Sequence, residues 1–129
     1  MATRRASADF EPQRALSATL PGATESVKWG ADLVHSVGEK MFAIYLLDTQ
    51  PEATGVARVV SFKVDAERFL ELTEVPGVTP APYLARAKWV QVKHPHGLAA
   101  HDLDELVRRS HALVAAGLTK KLQRELGML

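Results

Sequence analysis

The sequence predicts a single α+β domain in which an antiparallel sheet of about five strands packs against helices. The chain has 129 residues, a length that fits one compact domain with one hydrophobic core. Residues 24–64 are rich in β-branched and aromatic side chains, in blocks separated by glycine, which is typical of an antiparallel meander. Apolar residues on either side of this region keep helical spacing instead. The predicted order of elements is therefore α-β-β-β-β-α-β-α-α.

The first predicted element is a short helix that ends before Pro21. Ala15, Leu16 and Leu20 keep the spacing of one helix face, and Pro12 fits the first turn because its missing N–H is not needed there. A proline followed by glycine then stops the helix. We expect the chain to enter the sheet directly after this point.

Four strands are predicted to follow, at residues 25–29, 32–37, 40–47 and 56–64. Gly38 and Glu39 fit a two-residue hairpin turn with glycine at the first central position, where a positive φ is required. Residues 48–55 form a longer loop. The run at 40–47 does not alternate between apolar and polar side chains, so we expect it at the centre of the sheet with both faces covered.

The second half of the chain predicts a helix, a fifth strand and two further helices. Asp65 is the predicted N-cap of the first of these helices. Alternation over residues 88–93 indicates the fifth strand. Asp102 and Glu105 have the spacing of a capping box at the start of a long helix. Gly117 ends that helix, and a short basic helix follows it.

The composition excludes several classes of protein. Charged residues make up 24% of the chain and apolar residues 47%, which is ordinary for a folded domain. Because cysteine is absent, the chain forms no disulfide scaffold and has no thiol nucleophile. The longest apolar run, at residues 41–47, is too short to cross a bilayer, and no signal peptide pattern follows Arg4 and Arg5. We therefore expect a cytoplasmic protein with one domain over residues 1–129, of which residues 1–8 form a frayed tail.

Histidines of the C-terminal part are the candidate metal ligands: His94, His96, His101 and His111. Two of them, His94 and His96, could project from the same face of a strand. Zinc sites usually need three or four protein ligands, so this spacing alone is a weak match. We expect neither a metal nor another cofactor.

Residues for catalysis are not arranged in a recognisable pattern. Ser110 and His111 are neighbours in sequence, and neighbours on a helix point in different directions rather than toward each other. The chain has no glycine-rich phosphate loop of the Rossmann or P-loop kind. The sequence therefore predicts a protein that is not an enzyme and has no catalytic residues.

The charge is distributed unevenly along the chain. The net charge is +1, but residues 1–83 hold eight basic and eleven acidic side chains, whereas residues 84–129 hold eight basic and four acidic ones. In the basic part, our candidate contacts to nucleic-acid phosphates are Arg86, Lys88, Lys120, Lys121 and Arg124. Basic side chains also complement helix dipoles and keep a surface soluble, so the composition leaves both interpretations open.

Three aromatic side chains are the candidate lining of a ligand cleft, namely Trp29, Tyr83 and Trp89. Such rings stack on bases or on metabolites. The two tryptophans also suit core positions in a chain with few aromatic residues. A non-catalytic module that binds a small ligand or a protein is therefore the alternative to a nucleic-acid-binding module.

Several short motifs occur in a recognisable order between about Phe10 and Leu126. They are Leu20-Pro21-Gly22-Ala23-Thr24-Glu25 before Trp29, Val37-Gly38-Glu39-Lys40-Met41-Phe42-Ala43, Phe62-Lys63, Pro80-Ala81-Pro82-Tyr83-Leu84, Lys88-Trp89-Val90 and Ser110-His111-Ala112-Leu113-Val114. With these motifs the chain resembles the MmcQ/YjbR family of small bacterial proteins. The resemblance implies a CyaY-like, or frataxin-like, α+β fold, which agrees with the predicted element order.

The resemblance also implies DNA binding through a double-wing arrangement of hairpins. Lys40, Lys63, Lys88 and the region of Tyr83 and Trp89 are the matching positions that could meet a phosphate backbone.

Two features depart from the family pattern. The loop at residues 48–55 holds two acids and no base, which phosphate would repel, and Ser110-His111 stands where family members commonly have Ser-Tyr. Iron binding of the frataxin kind is not expected, because the first helix lacks an acidic ridge.

Overall fold

The computed structural model describes residues 9–129 and confirms the α+β class. The helices and strands are α1 (Glu11–Thr19), β1 (Ala23–Lys28), β2 (Asp32–Val37), β3 (Lys40–Leu47), β4 (Ala57–Lys63), α2 (Phe69–Thr73), β5 (Val78–Pro80), β6 (Trp89–Lys93), α3 (Ala100–Ala116) and α4 (Lys120–Glu125). The tail predicted at residues 1–8 lies outside the described residues. Within residues 9–129 no helix is long and apolar enough to cross a membrane.

The sheet has six strands in the order β1-β2-β3-β4-β6-β5, and all neighbouring strands are antiparallel. The predicted central position of β3 is confirmed. The sequence predicts about five strands and does not identify β5. This strand has only three residues, and its Val78 pairs with Val92. Its Pro80 is compatible with a strand because β5 is an edge strand, where a missing N–H breaks no ladder.

The two faces of the sheet are covered differently. Helices α1 and α3 pack on one face, over a core that includes Tyr45, Phe62 and Val107. On the other face, Val34 and Ile44 pack with Trp89 in a smaller cluster. Strand β3 is therefore buried by helices on one face and partly by the segment before β6 on the other.

Two local predictions are wrong and one is confirmed. The long helix begins two residues before Asp102, at Ala100, so the expected capping box does not form. Asp65 precedes a 3-10 turn without capping it, since its carboxylate binds an arginine instead. The predicted two-residue hairpin turn is confirmed, since Val37 pairs with Lys40 and Gly38 has a positive φ of 56°. Glu39 also has a positive φ, of 68°, so the turn is of the I′ kind.

Candidate nucleic-acid interface

The register of the sheet brings four of the predicted phosphate contacts to one end of the molecule. Strand β3 begins at Lys40, beside the point where antiparallel β4 ends at Lys63. Lys63 pairs in turn with Trp89, the first residue of β6. Arg86 and Lys88 lie just before Trp89 in the chain. These four cations therefore share the end of the sheet at which β3 and β6 begin.

Helix α4 adds the remaining three candidates to the same end. Leu118 and Leu122 pack on Gly38, in the turn that precedes Lys40, so that a Cβ atom built on Gly38 would lie 2.8 Å from Leu118 Cδ1. The exposed basic residues of α4 are Lys120, Lys121 and Arg124. We call the whole group the basic end: Lys40, Lys63, Arg86, Lys88, Lys120, Lys121 and Arg124.

None of these seven cations forms an ion pair within residues 9–129. The ion pairs in that part of the chain belong to other basic residues, which are Arg14, His35, Arg58, Arg68, Arg108 and Arg109. Lys63 Nζ donates a hydrogen bond to the carbonyl oxygen of Ala87 at 2.6 Å, and Lys88 Nζ lies 5.1 Å from the centre of the Phe69 ring. Neither contact neutralises the charge, so the basic end attracts anions.

An acid at this end is already neutralised. Arg109 donates two hydrogen bonds to Asp65, from Nε at 2.9 Å and from Nη2 at 2.7 Å. These bonds hold the pKa of the Asp65 carboxyl below its usual range. Glu39 in the turn, Glu67 just after Asp65 and Glu125 on α4 are exposed acids at the same end, so the cations outnumber the free carboxylates there.

The acidic loop lies at the opposite end of the sheet. It connects the end of β3 to the start of β4, which is about 25 Å from Lys40 along an eight-residue strand. Within it, Arg58 Nε donates to the Asp48 carboxylate at 3.1 Å, and the backbone N–H of Gln50 lowers the pKa of the same group. A phosphate backbone bound at the basic end would not meet this loop.

The predicted ligand cleft is not formed. Trp89 is 5% exposed and packs against Val34 and Ile44, so its ring belongs to the core. Trp29 is 66% exposed and lies in the turn between β1 and β2, at the end of the sheet that carries the acidic loop. Tyr83 is fully exposed and lies between β5 and β6, at the basic end.

Three of the four candidate metal ligands contact other groups, namely His94, His96 and His111, whereas His101 is exposed on α3. The His94 ring stacks on Phe10 and lies tilted against His96, with ring centres 4.6 Å apart in each pair. Burial, together with the neighbouring His94, lowers the pKa of His96. His111 Nε2 lies 2.7 Å from the carbonyl oxygen of Pro21, to which it donates. Residues 9–129 contain no group of three or more side chains of the metal-binding types.

Sequence reasoning missed the role of Ser110. Its buried Oγ donates to the carbonyl oxygen of Phe42 at 2.6 Å and accepts from the backbone N–H of Lys63 at 2.9 Å. The hydroxyl thus ties α3 to the ends of β3 and β4 that carry the basic end. The sequence feature that could have predicted this role is a lone hydroxyl on the apolar face of a helix, because a buried polar group needs hydrogen-bond partners.

The comparisons with known proteins agree with this fold. The YjbR family model matches residues 18–113. The crystal structure of the Deinococcus radiodurans protein DR2400, which has a DUF419 domain, is 30% identical, covers 92% of this chain and 88% of its own, and has a TM-score of 0.74. A Pseudomonas syringae protein is 18% identical over 81% of this chain and 97% of its own, with a TM-score of 0.63, and shares the fold. No curated protein matches the sequence significantly. The chain therefore belongs to the YjbR family.

Proposed function

We propose that this protein binds nucleic acid by contacting the phosphate backbone with its basic end. One observation carries the proposal. Seven cations from β3, β4, the segment before β6 and α4 converge on one end of a chain whose net charge is only +1, and none of them is paired with a carboxylate within the described residues. Unpaired cations gathered in this way attract a polyanion without help from the overall charge.

The size of the basic end suits a short stretch of backbone. Neighbouring strands lie about 4.8 Å apart, so the β2–β3 turn and the ends of β4 and β6 span about 15 Å. One nucleic-acid strand presents a phosphate about every 3.4 Å along the axis of a duplex, so about four or five phosphates fall within this span. We expect about four of the seven cations to contact phosphate at once.

Contacts of this kind position a protein without reading base sequence. We therefore propose binding with little sequence preference, in the cytoplasm and without a catalytic step. The affinity should rise and fall with the charge of the basic end rather than with the overall charge of the protein.

A matched pair of charge reversals tests the proposal. Lys120→Glu with Lys121→Glu changes the basic end, whereas Lys28→Glu with Lys93→Glu makes the same change in net charge at the opposite end of the sheet. Fluorescence anisotropy with a labelled duplex should show a loss of about tenfold or more for the first pair and a much smaller loss for the second. Equal losses would assign the effect to overall charge and overturn the proposal.

A second candidate function is the binding of a small ligand between α2 and α3. A cavity of about 570 Å³ lies there, with Leu72 and Leu106 in its lining. Its charged lining residues are Arg68, Arg109, Asp65, Glu71, Asp102 and Glu105. This volume is within the range of small-molecule sites. A thermal-shift screen against charged metabolites tests it, and a screen in which no compound raises the melting temperature would refute it.

A further inference from the structure

Tyr83 occupies a backbone position that normally belongs to glycine. The N–H of Leu84 bonds to the carbonyl oxygen of Ala81 at 3.1 Å, which closes a turn with Pro82 and Tyr83 at its centre. Tyr83 has φ 66°, in the left-handed region. Proline at the second position and a positive φ at the third identify a type II turn, in which the third residue is usually glycine or asparagine. A tyrosine is strained there.

Burial of the tyrosine ring does not offset this strain, because the Tyr83 side chain is fully exposed. Backbone hydrogen bonds at the base of the loop hold the turn in this conformation. Ala81 N donates to the carbonyl oxygen of Trp89 at 3.0 Å, and Trp89 N donates to that of Leu84 at 3.2 Å. Ala81 and Trp89 are themselves buried, so the core fixes the base of the loop while its tip holds the ring in solvent. Strain that the surroundings maintain is frequent at ligand contacts.

The position of the ring suggests its ligand. The loop between β5 and β6 lies at the basic end, and Arg86 and Lys88 follow Tyr83 within the same segment. Lys63 reaches this segment through its hydrogen bond to Ala87. An exposed aromatic ring on the same loop as cations is the arrangement with which proteins hold single-stranded nucleic acid, where the cations follow the backbone and the ring stacks on a base.

We propose that the Tyr83 ring stacks on an unpaired base, so that the basic end binds single-stranded nucleic acid in preference to duplex. The inference rests on the proposed function and adds the class of nucleic acid. A duplex keeps its bases stacked inside, whereas a single strand offers them to an aromatic ring. Stacking of one base corresponds to about a tenfold gain in affinity.

The chain contains a matched control for this residue. Trp29 is also an exposed aromatic residue with a positive φ, of 51°, but it lies at the end of the sheet that carries the acidic loop. Replacement of either residue by glycine removes an exposed ring and relieves the same kind of backbone strain. Only the change at Tyr83 should affect the binding of nucleic acid.

The experiment measures anisotropy with a labelled 20-nucleotide DNA strand, the same sequence as RNA, and the DNA duplex. Wild-type protein should bind the single strands more tightly than the duplex. Tyr83→Gly should weaken single-strand binding about tenfold, leave duplex binding nearly unchanged and raise the melting temperature. Tyr83→Phe keeps the ring and should keep the affinity, and Trp29→Gly should leave every affinity unchanged.

The outcomes separate this inference from the proposed function. If wild-type protein binds duplex and single strand alike and Tyr83→Gly changes neither, the stacking role is overturned while backbone binding stands. Equal weakening of both forms by Tyr83→Gly also contradicts stacking on an unpaired base. If neither form binds, the proposed function fails and this inference fails with it. The DNA and RNA strands show whether the sugar contributes, and tight binding of either one supports stacking.

Discussion

Leu118 packs directly on Gly38, with only 2.8 Å between Leu118 Cδ1 and the place where a Cβ atom of residue 38 would stand. This contact joins the C-terminal α4 region to the turn between β2 and β3. It brings the cations of α4 to the same end of the sheet as Lys40. The basic end therefore depends on a glycine that carries no charge.

Gly38→Ala should destabilise the protein by about 2 kcal/mol or more, because the new methyl group displaces Leu118 and also occupies a left-handed backbone position. Urea unfolding measures the change in free energy. Gly30→Ala is the control, since Gly30 has φ 85° but no atom within 4 Å of the added Cβ. Gly30→Ala should lower the free energy of unfolding only by the cost of the left-handed backbone, about 1 kcal/mol. Equal losses at the two positions would show that α4 does not pack on the turn.

Ser110→Ala should lower the free energy of unfolding by about 1–3 kcal/mol. The change leaves a buried carbonyl group of Phe42 and the N–H of Lys63 without their common partner. Ser26→Ala, at an exposed position of β1, should change stability by no more than about 0.5 kcal/mol. If the two serine variants unfold at the same urea concentration, the bridge between α3 and the sheet is not stabilising.

His35 should make the protein less stable in mild acid. Its ring is fully buried, Nε2 donates to the Glu25 carboxylate at 3.0 Å, and Nδ1 has no hydrogen-bond partner among residues 9–129. Burial lowers the pKa of His35 below 6.5, an effect that Glu25 opposes and Arg14 strengthens. Below about pH 6.5, His35 is therefore protonated in the unfolded chain but still neutral in the folded protein. The free energy of unfolding falls as pH decreases toward the folded-state pKa.

Unfolding in urea at about pH 7.5 and about pH 5.5 measures this effect. His96, whose pKa is also lowered, contributes a loss of the same sign. His35→Leu should be less dependent on pH than the wild type, whatever its stability at neutral pH. An unchanged pH dependence in this variant would exclude His35 as the titrating group.

Arg109→Gln should weaken nucleic-acid binding by a few-fold, because it releases the Asp65 carboxylate at the basic end. Its effect on stability should stay within about 1 kcal/mol, since Arg109 is a largely exposed partner. Arg58→Gln breaks the ion pair with Asp48 at the opposite end and removes the same charge. If both variants weaken binding equally, the position of Asp65 is irrelevant to the interface.

Much of the fold could be predicted from local patterns. The non-alternating run at residues 40–47 correctly predicted the central strand, since both faces of that strand pack against other parts of the chain. Strand β5 was missed because three residues ending in a proline carry no periodicity. The spacing of Asp102 and Glu105 predicts an N-cap at Asp102, whereas the helix begins two residues earlier, at Ala100. Caps and very short strands depend on tertiary contacts that a pattern does not contain.

The candidate site could be predicted only residue by residue. The family motifs predict Lys40 and the charge distribution predicts Lys120 as contacts, but their placement at one end depends on the packing of Leu118 against Gly38 and on the strand register. The predicted aromatic cleft failed because Trp89 became part of the core beneath the segment before β6. Sequence spacing does not show which of several aromatic residues a non-local contact will bury.

The salt dependence of DNA affinity tests the basic end most directly. Between about 50 mM and 200 mM salt, about four phosphate contacts predict a slope of about −3.6 in log affinity against log salt concentration, a loss of about 150-fold. In Lys120→Glu with Lys121→Glu the slope should become shallower by about two. Binding that does not change with salt, or no binding at the lowest salt concentration, would contradict backbone recognition by this protein.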